Sequence, residues 1–467
     1  MSRNTRISVE EVSKHSTDQD CWLVIDNEIW DLTEFAPQHP GGAAIILKYG
    51  GRDATEPYNE IHAPSIIRDT LNPSKHIGSV DKSTITPEWQ RPPPQATKQL
   101  QRHEKPPLYS IINTFDFETI ASETAPAKTW AFYSSAATDL ITRDLNRSLY
   151  NRIFFRPRVM RDVSQVDTTT TILGQSVSSP FMVAPAAMVK LIHPEGEKGI
   201  ATACASKGII QCISTNSSFP LTEICSEVPD HPFFFQLYVN KDRPKSEALL
   251  QQINSLPNVK AIFVTCDAAM AGKREGDERV KADESVGVAM TDSKAKNDKK
   301  GGSYGRLMGG YIDNKLNWND IAWLRKNTKL PLVLKGIMTA ADAKLAAEYG
   351  LDGILLSNHG GRNLDTSPPA IITLLEIHKL FPEVLDQLEI FVDGGVRRGT
   401  DILKALCLGA KGVFLGRPFL FAAGYGQEGV EHLIDSTFTL PSPMPLTHNP
   451  PTPFPLSLKP HPQLKLK

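Results

Sequence analysis

The chain has 467 residues, a net charge of −1 and no basic block, which argues against a nucleic-acid partner. Its length predicts two or three domains, and no apolar run approaches the roughly 20 residues that a membrane helix needs. The six cysteines are scattered without a CxxC pair, which indicates a reducing compartment. Because the first residues resemble neither a signal peptide nor a transit helix, we expect a cytoplasmic protein, with the mitochondrial intermembrane space as the alternative.

Residues 5–81 form the first predicted domain, in which short apolar strands alternate with turns. The Asp-Asn pair at 26–27 lies between two such strands and predicts a hairpin. His39 begins a His-Pro-Gly-Gly run, and His62 lies further along in a separate loop. Two such histidines can bind one iron from opposite faces of a haem plane, whereas zinc would need more Cys or His ligands nearby. The pair therefore predicts a haem-binding domain.

Two proline-rich segments flank the second half of the chain. Residues 82–107 have almost no periodic apolar pattern and contain three consecutive prolines at 92–94, which predicts a partly extended linker. Residues 436–467 hold nine prolines and no helical pattern, so we expect a disordered tail.

Residues 108–435 repeat a pattern of a short apolar strand followed by an Ala-, Leu-, Glu- and Lys-rich helix. The eight candidate strands are Phe181–Ala184, Ile209–Ile213, Phe233–Leu237, Ala261–Thr265, Leu332–Lys335, Gly353–Leu356, Ile390–Val392 and Gly412–Leu415. Eight such units favour a parallel (β/α)₈ barrel, a TIM barrel, over the alternative of an open doubly wound sheet. The fold class is therefore α/β, preceded by a small α+β domain.

The most informative loop follows the sixth candidate strand, because it carries His359 and Arg362 separated by two glycines. A base beside an anchor for a carboxylate is what removal of a proton or hydride from the adjacent carbon requires. Asp267, after the fourth strand, can orient and charge-stabilise His359. Lys335 ends the fifth strand and can stabilise negative charge on a reduced ring system. The alternative is that these are ordinary solvated side chains at strand ends.

Glycine-rich segments follow the seventh and eighth strands, where this barrel usually binds phosphate. The first contains Gly395 and Arg397, and the second contains Gly416 and Arg417. The glycines expose backbone N–H groups and the two arginines can neutralise a phosphate. The alternative is a pair of tight turns without a ligand. Their position in the barrel favours a phosphorylated cofactor.

Together these motifs resemble two known families. Residues 7–80 resemble a cytochrome b5 haem domain, which implies His39 and His62 as the iron ligands. The barrel resembles the FMN-dependent 2-hydroxy acid dehydrogenases and oxidases through FVTCDA at 263–268, LSNHGGR at 356–362, FVDGGVRRGTD at 391–401 and FLGRPF at 414–419. The order of haem domain, hinge and flavin barrel is similar to that of flavocytochromes of the L-lactate dehydrogenase (cytochrome) kind.

The resemblance implies a role for single residues. His359 matches the catalytic base, Asp267 its carboxylate partner, and Arg362 the anchor of the substrate carboxylate. Tyr238, which is also implied in catalysis, and Arg274 match further substrate-site positions. The implied FMN contacts are Ala187, Ser214, Gln236, Thr265, Lys335, Ser357, Asp393, Gly395, Arg397, Gly416 and Arg417.

The implied reaction is oxidation of an L-2-hydroxy acid, L-lactate or a relative, to the 2-oxo acid. Electrons would pass to FMN, then to a b-type haem, and then to an acceptor such as cytochrome c. The family also implies association as a homotetramer. Two alternatives are an FMN-dependent oxidase that uses oxygen and an inactive haem and flavin redox module.

Three features depart from the family pattern. Phe132 stands at a substrate-site position where the family usually has tyrosine. Asn216 replaces an apolar residue expected beside the substrate side chain, so a larger or more polar hydroxy acid than lactate is an alternative substrate. After Ile434 the long closing helical segment of the family gives way to the proline-rich tail, which predicts a missing closing helix.

Overall fold

The computed structural model describes residues 6–39, 42–86, 89, 105–160, 162, 164, 166–291, 293–299 and 301–438. The first domain has the strands β1 (Arg6–Ile7), β2 (Ser16–Thr17), β3 (Asp20–Ile25), β4 (Glu28–Asp31), β5 (Arg52–Asp53) and β6 (His76–Val80). Its helices are α1 (Val9–Lys14), α2 (Ala43–Lys48), α3 (Thr55–Ile61) and α4 (Ile66–Thr70). The strands form one sheet in the order β1-β6-β4-β3-β2, with β5 paired to β3.

The predicted hairpin joins β3 and β4, which pair antiparallel. Asp26 and Asn27 have φ values of 52° and 67°, the left-handed conformation that two-residue hairpin loops require. Trp89 packs into the apolar cluster on one face of this sheet and donates from Nε1 to Gly51 O at 3.0 Å. The core of the first domain therefore includes a residue of the predicted linker. The rest of that linker between 90 and 104 lies outside the described residues.

The second domain is a closed parallel barrel, as the sequence predicts, and not an open sheet. This part of the chain has the strands β7 (Thr170–Ile172), β8 (Gln175–Val177), β9 (Phe181–Val183), β10 (Gln211–Ser214), β11 (Phe233–Leu237), β12 (Val259–Thr265), β13 (Asn297–Asp298), β14 (Gly301–Gly302), β15 (Leu332–Ile337), β16 (Gly353–Leu356), β17 (Glu389–Asp393) and β18 (Gly412–Leu415). The barrel strands are hydrogen-bonded in the order β10-β11-β12-β15-β16-β17-β18-β9. The short pairs β7–β8 and β13–β14 lie outside the barrel.

Helices surround the barrel and follow most of its strands. They are α5 (Thr114–Thr124), α6 (Ala127–Ser134), α7 (Ile141–Tyr150), α8 (Gly196–Lys207), α9 (Leu221–Glu227), α10 (Arg243–Ser255), α11 (Glu275–Glu278), α12 (Tyr304–Gly309), α13 (Asp320–Asn327), α14 (Ala340–Glu348), α15 (Ala370–Leu380), α16 (Val384–Gln387), α17 (Gly399–Cys407), α18 (Arg417–Ala422) and α19 (Gly426–Phe438). Among the described residues no helix has both the length and the apolar character that crossing a membrane requires.

A layer of aromatic side chains fills the barrel interior. Phe234, Phe263, Phe391 and Phe414 are fully buried and contact one another through tilted or edge-on rings. Alternate residues of each strand point inward, so a strand contributes to this layer with one residue and to the helix-facing core with the next. The layer forms a solid floor beneath the C-terminal ends of the strands.

The chain has a closing helix, contrary to the expectation from its sequence. α19 packs on α8, and it extends three residues into the segment predicted as a disordered tail. Its apolar residues Val430, Leu433 and Ile434 recur at helical spacing and are buried. Asp435 forms an ion pair with Lys207 of α8 at 2.7 Å. This amphipathic stretch ends before the first proline of the tail, so no proline interrupts the helix and its apolar face packs against the barrel domain. The tail beyond Phe438 lies outside the described residues.

Candidate active site

A cavity whose empty volume, including the part open to solvent, is about 1200 Å³ lies at the C-terminal ends of the barrel strands. Every predicted site residue of the barrel lines it except Asp267 and Ser357. These two lie behind the lining: Asp267 contacts His359, and Ser357 contacts Lys335. The closed barrel thus brings together side chains from eight separate strand ends. Concave sites with a few convergent polar groups are typical of cofactor and substrate binding.

His359 is held between a carboxylate and a phenol. Asp267 Oδ1 lies 2.9 Å from His359 Nδ1, and Tyr238 Oη lies 3.2 Å from His359 Nε2. An ionised Asp267 accepts from Nδ1–H, so the free lone pair of the neutral ring is on Nε2, where it accepts from Tyr238. His359 has a φ of 59°, a strained conformation for a residue with a side chain. A Cβ on Gly336 would come within 2.5 Å of the Asp267 Cβ, so glycine permits this close approach.

The electrostatic environment keeps His359 neutral and Asp267 ionised. Burial lowers the pKa of His359, and the charge of Lys335 lowers it further, although Asp267 opposes both effects. Burial raises the pKa of Asp267, but the interaction with His359, which includes its hydrogen bond, and the charge of Lys335 outweigh it and lower that pKa overall. A neutral imidazole oriented by a carboxylate is suited to accept a proton from a bound molecule.

Lys335 places a buried positive charge at the base of the cavity. Its Nζ donates to Ser357 Oγ at 2.9 Å and lies 3.4 Å from Asp393 Oδ2, and the side chain is 4% exposed. Burial lowers the pKa of Lys335, but Asp393 and Asp267 raise it overall. Lys335 is therefore a fixed cation that needs no reorganisation to stabilise negative charge on a neighbouring group.

Two guanidinium groups, those of the buried Arg274 and the partly buried Arg362, line the cavity with His359 and form a candidate anion site. Arg362 Nη2 donates to Tyr133 O at 2.5 Å, and Arg274 Nε donates to Arg362 O at 3.4 Å. Burial and then the charge of Arg274 lower the pKa of Arg362 to about 9. Arg274 Nη1 is buried and has no partner among the described residues. An anion bound here would satisfy this donor and offset both charges.

Phe132 lies next to this anion site. Its ring faces the Arg362 guanidinium at 5.5 Å and contacts the Tyr304 ring edge-on at 5.4 Å. The position where the family usually has a phenol is thus apolar and buried. It stabilises Arg362 through a cation–π contact and not through a hydrogen bond to a bound molecule.

Both arginines of the glycine-rich corner have partners within the protein, and Arg397 has fewer of them than Arg417. Gly395 has a φ of 80°, and a Cβ there would lie 2.0 Å from Asn146 O, so only glycine fits. Arg397 donates to Val396 O at 3.1 Å and lies 3.5 Å from Glu118. Arg417 donates from three nitrogen atoms to backbone carbonyls, namely Tyr133 O, Ser135 O and Gly360 O. Arg397 is therefore the better placed of the two to bind a phosphate with its side chain.

A row of polar side chains connects the ends of β10, β11 and β12. Ser214 Oγ donates to Gln236 Oε1 at 3.1 Å, and Gln236 Nε2 donates to Thr265 Oγ1 at 2.8 Å. All three line the cavity. The network fixes the orientation of the Gln236 amide, which allows a specific hydrogen-bond pattern to be presented to a flat polar ring.

In the first domain, His39 and His62 face each other across a gap. Their ring centroids are 6.0 Å apart, which leaves room for one metal atom between the rings. His39 Nδ1 lies 3.3 Å from Gly42 O, a contact that orients the ring and leaves Nε2 free. Burial lowers the pKa of His62, which favours the neutral ring that a metal ligand needs. Pro40 and Gly41 of the motif lie outside the described residues.

Family models match most of the chain. A model described as FMN-dependent dehydrogenase matches residues 121–437. The chain belongs to the FMN-dependent dehydrogenase family. A second model, described as cytochrome b5-like heme/steroid binding domain, matches residues 8–81.

Relatives of this FMN-dependent dehydrogenase include proteins with and without a cytochrome in their names. An L-lactate dehydrogenase (cytochrome) from Saccharomyces cerevisiae is 44% identical over 446 residues, which cover 92% of this chain and 75% of the relative. A glycolate oxidase from Spinacia oleracea is 41% identical over 335 residues, 69% of this chain and 88% of the relative. A solved structure of a flavocytochrome b2 double variant with sulfite bound has a TM-score of 0.64 and 44% identity, covering 73% of this chain and 82% of that one.

This FMN-dependent dehydrogenase therefore uses FMN in its barrel and haem in its first domain. The barrel residues fit a cofactor with many polar groups, because Asp393 Oδ1 is buried and, within the described part of the chain, has no partner. Across the described ranges, no cluster of three or more His, Cys, Asp or Glu could hold a metal ion. An iron in the first domain would thus depend on the His39 and His62 pair and on a porphyrin.

The motifs in the sequence do not indicate a pair of buried asparagine side chains that supports the site. Asn146 of α7 and Asn358 exchange two amide hydrogen bonds of 2.8 and 2.7 Å, and Asn358 Oδ1 also accepts from Gly361 N at 3.1 Å. The buried pair fixes the loop that carries His359 and Arg362. Asn358 stands inside the recognised motif, but its partner lies 212 residues earlier in the chain, so only the fold identifies the pair.

Proposed function

We propose that this protein oxidises an L-2-hydroxy acid of the lactate class to the 2-oxo acid and passes the electrons through haem to an acceptor protein such as cytochrome c. The observation that carries the proposal is the His359–Asp267 pair beside Arg362, in the same cavity as Lys335. The name of the Saccharomyces cerevisiae relative supports the substrate class and the use of a cytochrome.

In this proposal, Arg362 and Arg274 bind the substrate carboxylate and so position the hydroxyl-bearing carbon near His359. His359 Nε2 accepts a proton from the substrate, and the resulting imidazolium is stabilised by Asp267. Tyr238 holds the substrate oxygen with its phenol, whose pKa burial raises to about 12, so that it stays a donor. Bound FMN supplies a two-electron acceptor and bound haem a one-electron carrier.

A contact between the two domains supports electron transfer to the haem. The backbone of His62 pairs with that of Val280 in an isolated antiparallel bridge. Lys281 Nζ donates to Asn59 O of α3 at 2.7 Å. The barrel segment in contact with the haem domain follows Arg274 by only a few residues. The proposed haem ligand His62 therefore contacts a barrel segment that is only a few residues along the chain from Arg274, a proposed substrate-site residue.

The cellular compartment and the oligomeric state are two further parts of the proposal. The six cysteines are all free thiols, which supports a reducing compartment such as the cytoplasm. The resemblance to tetrameric flavin barrels supports a homotetramer, which measurement of the mass in solution would test.

The pH dependence follows from the lowered pKa of His359. Because only the neutral imidazole accepts a proton, we expect kcat/KM to be maximal at neutral pH and to fall as the pH drops through that pKa. The acid limb is expected below the ordinary histidine value of about 6.5. Initial rates with L-lactate between about pH 4.5 and 8 measure it. An acid limb centred above that value would contradict a neutral, buried base.

Anaerobic mixing with L-lactate and longer L-2-hydroxy acids tests the function. We expect the flavin absorbance to bleach first, the haem bands to become reduced next, and added cytochrome c to be reduced last. In a His62→Ala variant the flavin should still bleach, while the haem bands and most cytochrome c reduction are lost. His76→Ala is the matched control, because His76 belongs to the same domain but contacts Glu28 on its surface.

Two outcomes would overturn the proposal. When the mixing is repeated in the presence of oxygen, stoichiometric peroxide with haem that stays oxidised would indicate an oxygen-using oxidase, as the name of the spinach relative suggests for that protein. A flavin that no L-2-hydroxy acid bleaches would indicate an inactive redox module.

A further inference from the structure

The cavity wall after β10 carries a polar pair that the proposed mechanism does not use. Asn216 lines the cavity and is 1% exposed. Tyr311, which follows α12, donates from its hydroxyl to Asn216 Oδ1 at 2.9 Å. Nothing in the proposed proton transfer or carboxylate binding requires either side chain. Asn216, which lines the cavity, is nevertheless available to a substrate.

One polar atom of Asn216 is left without a protein partner. Its backbone N–H donates to Ser214 Oγ at 3.1 Å, its carbonyl accepts from Met188 N at 3.0 Å, and its Oδ1 accepts from Tyr311. Within the described residues Nδ2 is buried and has no acceptor. A buried amide donor left unpaired is unfavourable, so a bound molecule with an acceptor at this point would be favoured.

The same wall has room for a side chain longer than a methyl group. Ala268, Ala271, Gly305 and Gly309 all line the cavity, and each has little or no side chain. Gly309 precedes Tyr311, the partner of Asn216, by two residues in the chain.

The groups that contact Asn216 are neutral, which selects the chemistry of the substrate side chain. Ser214 and Tyr311 carry hydroxyls, and burial raises the pKa of Tyr311 above its ordinary value, so it remains uncharged. Asn216 is the member of the pair that lines the cavity, so its Nδ2 is the donor offered to a substrate, and Tyr311 holds the amide in place. A hydroxyl group accepts from this donor without burying a charge, whereas a carboxylate would bury one.

We propose that Asn216 and Tyr311 form a specificity site for a hydroxyl group on C3 or C4 of the substrate. This inference rests on the proposed function and narrows its substrate class to L-2-hydroxy acids with a neutral, hydroxylated side chain. Asn216 is the residue that distinguishes such substrates from alkyl ones. Phe132 and the two arginines have no part in the distinction.

The test compares substrates of equal size. L-Glycerate is paired with L-2-hydroxybutanoate, and L-2,4-dihydroxybutanoate with L-2-hydroxypentanoate. We expect kcat/KM to be roughly 10- to 100-fold higher for the hydroxylated member of at least one pair. L-Malate should be a poorer substrate than that member, because no cation contacts Asn216 to pair with its second carboxylate.

Variants assign the preference to the polar pair. Asn216→Leu should abolish or invert the preference, measured as the ratio of the two kcat/KM values within each pair. Tyr311→Phe, which keeps the shape of the wall, should reduce the preference by about 10-fold because the amide is no longer oriented. Asn319→Leu is the control for an exposed asparagine outside the cavity. Thermal unfolding of each variant verifies that the fold is retained.

A binding measurement separates this inference from the proposed function. Calorimetric titration of the oxidised protein with hydroxypyruvate and with 2-oxobutanoate reports the preference without turnover. Tighter binding of hydroxypyruvate, lost in Asn216→Leu, would support the inference even if no hydroxy acid were oxidised. Equal binding and equal kcat/KM within each pair, or a preference for L-malate, would overturn it while leaving hydroxy acid oxidation intact.

Discussion

Replacing His359 with glutamine is expected to lower kcat by about 10³- to 10⁴-fold while both cofactors remain bound. Glutamine can still donate to Asp267, so the loop stays in place, but its amide does not accept a proton at neutral pH. The loss therefore reports the proton transfer itself. Rapid mixing with L-lactate, followed at the flavin absorbance, measures it.

His193→Gln is the matched control for this variant. His193 lies outside the cavity, and its charged neighbour is Glu195 at 3.8 Å. Full flavin bleaching in the control and its loss in His359→Gln would assign the base. If His359→Gln kept more than about a tenth of the activity, the proton would have to go to a group other than this imidazole.

Loss of Arg362 is expected to lower kcat/KM by about 10²- to 10³-fold, with the effect divided between KM and kcat. Arg362→Met removes the fork that binds a carboxylate and leaves Arg274 as the remaining cation of the anion site. Arg362→Lys should be intermediate, because a lysine keeps the charge but not the two parallel donors. Steady-state kinetics with L-lactate and titration with pyruvate measure both effects.

Arg325→Met controls for the loss of a guanidinium elsewhere. Arg325 pairs with Asp352 on the outside of the barrel at 2.7 Å, where both side chains are about one third exposed. Its removal should leave kcat/KM unchanged. An equal effect of both substitutions, or an unchanged Kd for pyruvate in Arg362→Met, would show that Arg362 does not bind the substrate carboxylate.

The barrel and most of the candidate site could be predicted because their signals are local in the sequence. Each strand is a short apolar run, and each functional side chain follows its own strand, as His359 and Lys335 do. A parallel barrel places all strand ends on one side, so the fold alone brings these residues together. The chemical roles of these residues and the exact boundaries of the two domains stay predictions, because the positions of side chains do not by themselves show what they do.

What could not be predicted depends on contacts between distant segments. The Asn146–Asn358 pair joins α7 to the catalytic loop, and no pattern in either segment indicates the other. Arg417 looks like a phosphate ligand in its motif, yet its donors are used by carbonyls of α6 and of the loop at Gly360. The helix α19 was missed because the prolines that follow it dominated the composition of the terminus.

The phenylalanine layer inside the barrel governs how protons reach and leave the site. Phe234, Phe263, Phe391 and Phe414 are no more than 1% exposed, so water cannot travel along the barrel axis. In the proposed mechanism, a proton taken by His359 therefore leaves through the mouth of the cavity, which substrate and product also use. Proton exchange with bulk solvent and product departure consequently share one route. If the substrate carries deuterium, the deuterium transferred to His359 would exchange with solvent protons only as fast as the mouth of the cavity opens to water.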